Sequence, residues 1–296
     1  MVDIQIAKVS GLCAGCKFAI DATIKELNNG NKVTIFKEIV HNKNVNKYLY
    51  LAGATCEDDI NKLPIDNTII IRAHGEPPAT YDILDQRGIK YIDCTCINVA
   101  KIHKLVKEHY SAGYKIILLS KYKKAMHPEV LGTLGWANND AILIETSEDI
   151  EQLSQYKNEK FYLACQTTFN LAKAETLIKE ITTLLEKNSC ELIVNNSLCG
   201  AQRAINKSSA ELAQDRDVMI VVGGANSSNS LELYNNVNSI CPSIFIEDIS
   251  TYKDKLNENG IELTKNLKIG ITAGASTRKE ELIELKELIE KDLTQE

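Results

Sequence analysis

Short runs of β-branched and aliphatic residues recur along the chain: 33–36 (VTIF), 68–71 (TIII), 90–92 (KYI), 115–119 (KIILL), 141–144 (AILI), 161–164 (FYLA), 191–194 (ELIV), 218–222 (VMIVV) and 268–271 (KIGI). Continuous apolar runs of this length suit strands buried on both faces. Between many of them the apolar positions repeat at helical spacing, over 17–27, 98–110, 172–186, 203–214 and 279–293. In the last stretch Leu282, Leu285, Ile289 and Leu293 share one face, with Glu and Lys on the other. Strand–helix alternation of this kind predicts an α/β protein with mostly parallel sheets.

The polar residues change this picture most where they follow the strands. RAHG stands at 72–75, DCTC at 93–96, MHPEV at 126–130, QTT at 166–168, NNSLCG at 195–200, GGANSSNS at 223–230 and AGAST at 273–277. Open α/β sheets bind ligands beyond the carboxyl ends of their strands, so these clusters predict one shared site. Any single cluster also reads as a helix cap, since Ser, Thr and Asn are common N-caps.

Composition narrows the function classes. The chain has 296 residues, 44% hydrophobic and 25% charged, which is ordinary globular usage. A net charge of −6 without a basic stripe argues against a nucleic-acid binder. No apolar run is long enough for a membrane span, and MVDIQIAKVS lacks the features of a signal peptide, so a cytoplasmic location is expected. The unusual figure is nine cysteines, at 13, 16, 56, 94, 96, 165, 190, 199 and 241. In a reducing compartment they do not read as a disulfide framework.

Cys13, Cys96 and Cys199 share a setting. Each lies where a strand or glycine-flanked loop gives way to a helical stretch. A helix N-terminus lowers a thiol's pKa and so supplies the thiolate that ligation requires. Three such junctions suit an iron–sulfur cluster. The CxxC at 13–16 and the CxC at 94–96 suit tetrahedral zinc as well, and spacing alone leaves both open.

The ordered set GLCAG (11–15), EIVHN (38–42), RAHG (72–75), TC (95–96) with KIH (101–103), HPEV (127–130), QTT (166–168), NSSNS (226–230) and TAGAS (272–276) resembles the 4-hydroxy-3-methylbut-2-enyl diphosphate reductase family of isoprenoid biosynthesis. The resemblance covers nearly the whole chain and implies a trefoil of three α/β lobes around a central [4Fe–4S] cluster. By motif spacing the lobes fall at 1–97 (Cys13, Cys96), 98–195 (His127, Glu129, Thr167, Thr168) and 196–296 (Cys199, Ser227–Ser230). The resemblance makes Cys13, Cys96 and Cys199 the cluster ligands, with one iron left open for the substrate's hydroxyl. It makes His41, His74, His127, Ser227, Asn229 and Ser276 diphosphate-binding residues, with Ser228 adjacent. Glu129 becomes the proton donor, and Thr167 or Thr168 the threonine near the hydroxyl. His103 and His109 lie on a helical stretch and read as structural or solvent-exposed. No GxGxxG fingerprint is present, so electrons are expected from an external carrier, a ferredoxin or flavodoxin in this family.

The chain departs from the family pattern beside the expected ligands. Cys16 stands where a valine-like residue is usual, Ile97 where proline follows the second ligand, and Gln202 where a threonine follows the third. The Arg-Gln pair is absent at its usual spacing within 200–206, and Cys94 adds a thiol. These departures keep two alternatives in view. One is a diverged paralogue reducing another allylic or diphosphate substrate. The other is a non-catalytic cluster- or zinc-binding redox sensor in which Cys16 or Cys94 completes the ligand set. Cys56, Cys165, Cys190 and Cys241 read as buried thiols.

Overall fold

The computed structural model describes residues 3–40, 42–123, 126–225 and 227–295. The chain begins β1 (Ile4–Ile6), α1 (Ala14–Asn28), β2 (Val33–Phe36), α2 (Lys43–Leu51), β3 (Thr55–Glu57), β4 (Thr68–Ile71), α3 (Pro78–Gln86) and β5 (Tyr91–Asp93). It continues α4 (Ile97–Ser111), β6 (Lys115–Leu119), α5 (Pro128–Gly135), β7 (Ala141–Ile144), β8 (Lys160–Cys165), α6 (Leu171–Lys187) and β9 (Glu191–Asn195). It ends α7 (Gly200–Ala213), β10 (Val218–Val222), α8 (Ser228–Asn238), β11 (Ser243–Ile246), α9 (Tyr252–Glu258), β12 (Ile269–Ala273) and α10 (Lys279–Gln295).

The strands form three four-stranded sheets, ordered β1-β12-β10-β11, β3-β2-β4-β5 and β7-β6-β8-β9. In the first, Ile4 pairs with Ile269 and Val218 with Ile269, in parallel. Parallel pairing also joins β10 to β11, β2 to β4, β4 to β5, and β6 to β7 and β8. These are the α/β lobes with parallel sheets that the alternation predicts.

The chain divides into two compact units. One comprises Met1–Leu27, Glu38–Thr55 and Gly200–Glu296 and carries the sheet of β1, β12, β10 and β11. The other comprises Asn28–Lys37 and Cys56–Cys199 and carries nearly all of the remaining two sheets.

Each core follows from the two-residue period of a strand. In the first unit Val218, Ile220 and Val222 meet Leu282, Leu285, Ile289 and Leu293 of α10. Met219 and Val221, on the opposite face, meet Ile205 of α7 and Leu233 and Val237 of α8. In the second unit Ile117 and Leu119 pack on Leu177, Ile181 and Leu185 of α6, while Ile116 and Leu118 pack on Ile102 and Val106 of α4. Burying each such side chain contributes about 1.5–3 kcal/mol. Because the paired strands run in parallel, the polar clusters after β4, β6, β8, β10 and β12 leave from carboxyl ends. No helix among the described residues is long and apolar enough to cross a membrane.

Two of the bland cysteine assignments need adjusting. Cys165 and Cys241 are buried, but Cys190 is half-buried and Cys56 is exposed. Cys56 lies on β3, a three-residue strand at the edge of its sheet, between the polar residues Thr55 and Glu57.

Candidate active site

In the first unit, Gly11 turns the chain from β1 toward α1 with φ of 77°. A Cβ there would lie 2.9 Å from the Thr277 carbonyl oxygen, so only glycine lets the loop pass. Cys13 follows, with its N–H donating to Ala275 O at 3.1 Å and its carbonyl accepting from Lys17 N as α1 begins. Cys16 in the first turn donates its N–H to Cys13 Sγ at 3.5 Å. A hydrogen bond from the Cys16 side chain, assisted by N–H groups of the turn and opposed by burial, holds the Cys13 thiol down at about 6.

The same unit carries the serine and asparagine motifs. Ser227 caps α8, its Oγ accepting from Ser230 N and Oγ at 3.3 and 3.1 Å. Asn229 Oδ1, Ser276 Oγ and Gln202 Oε1 are buried without a hydrogen-bond partner among the described residues. Buried polar atoms are normally satisfied, so each of these three is open to a further polar partner. Gln202, one of the departures, donates Nε2 to Asn206 Oδ1 at 3.2 Å and toward Asn229 O at 3.5 Å. Its amide therefore lies beside the first turn of α8. His41 lies outside the described residues, as does the side chain of Ser228.

The second unit brings together Cys96, Cys199, His74, His127, Glu129 and Thr167. His127 is the N-cap of α5, with Pro128 in the first turn. Its Nδ1 accepts the Glu129 N–H at 3.2 Å, which leaves the ring proton on Nε2 as a donor. His74 meets it edge-on, with ring centroids 5.1 Å apart. The His74 turn is braced from behind. Arg72 Nε and Lys37 Nζ donate to the two oxygens of buried Glu76 at 3.2 and 2.8 Å, and Trp136 Nε1 donates to the Glu76 carbonyl. Gly75, with φ of 72°, lies against the His103 ring, and a Cβ there would be 2.5 Å from His103 Cε1.

Glu129 is only 2% exposed. Burial pushes its carboxyl up to about 7, although two hydrogen bonds from Thr167 pull the other way. Those bonds are short: Thr167 N–H donates to Oε1 and Thr167 Oγ1 to Oε2, each at 2.6 Å. Thr167 O in turn accepts the Cys199 N–H at 2.8 Å. Thr168 Oγ1 instead accepts from Gln166 Nε2 at 3.1 Å. Of the two threonines, Thr167 is the one joined to Glu129.

Cys96 is the N-cap of α4, with its N–H on Ala73 O at 3.0 Å. Cys199 immediately precedes α7, and Asn98 Nδ2 reaches its Sγ at 3.6 Å. The reading of the sequence missed Asn98; an amide two residues beyond an N-capping cysteine was its signal. Cys94 is fully buried, and burial pushes its thiol up to about 12. His103 stacks on Trp136 and His109 on Tyr162, both structural. Among the described residues, no three His, Cys, Asp or Glu side chains are grouped so as to hold one metal ion.

Each of the three thiols is half-buried at a helix beginning: the acidified Cys13 in one unit, and Cys96 and Cys199, the latter beside an amide, in the other. Soft thiolate donors with N–H groups nearby fit an iron–sulfur cluster.

Comparison with known proteins gives one consistent relationship. The family described as LytB protein matches residues 4–290. A 4-hydroxy-3-methylbut-2-enyl diphosphate reductase of Clostridioides difficile (strain 630) is 35% identical over 93% of this chain and 95% of its own. The reductase of Helicobacter pylori (strain Shi470) is 34% identical over 93% and 94%. Among solved structures, an (E)-4-hydroxy-3-methyl-but-2-enyl diphosphate reductase described as the terminal enzyme of the non-mevalonate pathway aligns with a TM-score of 0.75. It is 30% identical and covers 98% of this chain and 100% of that one. The Plasmodium falciparum reductase aligns with a TM-score of 0.80 at 26% identity, over 97% and 87%.

Proposed function

This chain belongs to the LytB family, and we propose on that premise that it reduces 4-hydroxy-3-methylbut-2-enyl diphosphate to isopentenyl and dimethylallyl diphosphate. Two electrons and two protons are taken up, and the hydroxyl leaves as water. The observation that carries the reading is the buried Glu129 carboxyl, bound twice by Thr167 and two residues beyond His127.

Cys13, Cys96 and Cys199 would hold a [4Fe–4S] cluster, which when bound supplies single electrons and a Lewis-acidic iron. The protein's part is binding and proton handling. His74 and His127 offer ring N–H donors, and Ser227, Asn229 and Ser276 offer short polar side chains, to a diphosphate. His41, outside the described residues, joins them by its motif. Anchoring the diphosphate commits binding energy remote from the reacting carbon to orienting it. A carboxyl with a pKa of about 7 is partly protonated at neutral pH, so Glu129 can hold a proton at Oε2 and release it to the leaving oxygen. Thr167 keeps that carboxyl in one orientation. A ferredoxin or flavodoxin would deliver the electrons, and the setting would be cytoplasmic.

Anaerobic turnover with the hydroxylated diphosphate and reduced methyl viologen tests the proposal. Both isopentenyl and dimethylallyl diphosphate are expected. A fully iron-loaded protein that forms neither product would remove the assignment in favour of a different substrate.

A further inference from the structure

We infer that Thr277 is a positioning residue for diphosphate binding, because one buried hydroxyl joins the three loops that carry the binding residues of the first unit. The inference rests on the diphosphate reading above. Thr277 is 0% exposed and follows Ser276 directly. Its Oγ1 accepts from Asn42 Nδ2 at 3.3 Å and donates to Val222 O at 3.3 Å. Asn42 follows His41 and is itself buried. Its Oδ1 accepts from Asn44 N and Val45 N at 3.0 and 3.2 Å, capping α2. Val222 ends β10 and leads into the 223–230 segment of Ser227 and Asn229.

The hydroxyl thus links the neighbour of His41, the neighbour of Ser276 and the root of the Ser227 loop. Asn42 and Thr277 are 235 residues apart, so no local hydrogen bonding could set this register. The turn itself is fixed: Thr277 N–H donates to Gly274 O at 3.1 Å, and Gly274 N–H to Val222 O at 3.3 Å. A hydroxyl that accepts one bond and donates another transmits position between its partners, and the chain of bonds is mutually strengthening. Contact with the Cys13 loop is different in kind. It runs through backbone, from Cys13 N to Ala275 O and from Gly11 against Thr277 O. Losing the hydroxyl therefore leaves that contact intact, and the two effects can be separated.

The experiment uses full-length, anaerobically reconstituted protein as wild type, Thr277→Val, Thr277→Ser, Asn42→Ser and the double variant Thr277→Val/Asn42→Ser. Serine at 42 keeps a capping oxygen for α2 but is too short to reach Thr277. Inorganic pyrophosphate is titrated by calorimetry, KM and kcat are measured with the hydroxylated diphosphate, and iron per chain is counted. Thr277→Val and Asn42→Ser are each expected to raise the pyrophosphate Kd about tenfold, the scale of one lost buried hydrogen bond. KM should rise in parallel and by more than kcat falls, and iron content should hold. Thr277→Ser should bind within about twofold of wild type, and the double variant should be no weaker than the worse single, since both break one link. Unchanged binding by Thr277→Val overturns the role, as do additive losses in the double variant. So does joint loss of iron and pyrophosphate in Thr277→Val, which would mark a general structural part. Failure of wild type to bind pyrophosphate overturns the diphosphate reading itself, and this inference with it.

Discussion

Glu129 shows how a single carboxyl is suited to proton delivery near neutral pH. Burial raises its pKa to about 7, while the Thr167 bonds keep it from rising further. The direction fixes two consequences. The protonated fraction falls as pH rises through that value, so kcat should decline above about pH 7. The folded-state pKa also exceeds the ordinary 4.5, so the carboxyl's contribution to stability is full below 4.5 and is lost as pH rises through about 7. Glu129→Gln is expected to lower kcat by about 100-fold or more and to abolish the alkaline limb. Its unfolding midpoint should match or exceed wild type above pH 7. Single-turnover rates and denaturant melts across pH 5.5–9 check both; a variant retaining the limb would assign the titration elsewhere. At this scale much of the candidate site could be read from the sequence, because His74, His127, Glu129 and Thr167 each sit in a motif between a strand and the helix that follows it. The division of labour between Thr167 and Thr168 could not. It depends on which hydroxyl faces a carboxyl 38 residues away, and adjacent threonines look alike in sequence. Cys94 was illegible for the same reason, since the CxC spacing does not say which thiol turns inward.

At the level of elements, amphipathic helices and buried strands were the readable part. In α6, Ala174, Leu177, Ile181 and Leu185 form one stripe, and the residues between them are largely Glu, Lys and Thr. That stripe packs on Ile117, Leu119, Phe161 and Leu163, supplied by alternate positions of β6 and β8. Leu177→Ala removes a side chain 2% exposed at the centre of this contact. It is expected to cost about 2–5 kcal/mol, because the surrounding strands cannot collapse to fill the space. Urea denaturation measures it, and a loss below about 1 kcal/mol would mean the helix is not held by this face. The strands missed by pattern have identifiable causes. β1 and β3 are each three residues long, and β3 is an edge strand with polar residues on both sides of its cysteine. Neither offers enough positions for a period to show. β11 is the exception: SIFI is a readable apolar run that the pattern reading passed over.

Over the whole molecule, sequence order and spatial grouping diverge. Residues 4–6 pair with 269–271, and Ile4 shares a core with α10, so one unit closes only when both ends of the chain are present. The sequence could not reveal this, because pairing over such a separation leaves no local trace. β12 lies between β1 and β10 and is the strand on which that sheet depends. Removing residues 269–296 deletes β12 and α10 together. The deletion strips partners from Ile4, Val218, Ile220 and Val222 and exposes one whole face of the sheet. Loss on that scale exceeds the net stability of a typical domain, about 5–15 kcal/mol. The other unit draws all its strands and helices from residues before 200 and loses none of them. A chain ending at Lys268 is therefore expected to keep slow amide exchange in β4, β6 and β8 while β1 and β10 exchange at rates near those of an unfolded chain. Hydrogen-exchange mass spectrometry on the truncated and full-length proteins distinguishes the outcomes. Uniform loss of protection would show that the second unit needs the first to fold. Retained protection in β10 would show that β11 and the helices α7 and α8 suffice to hold it.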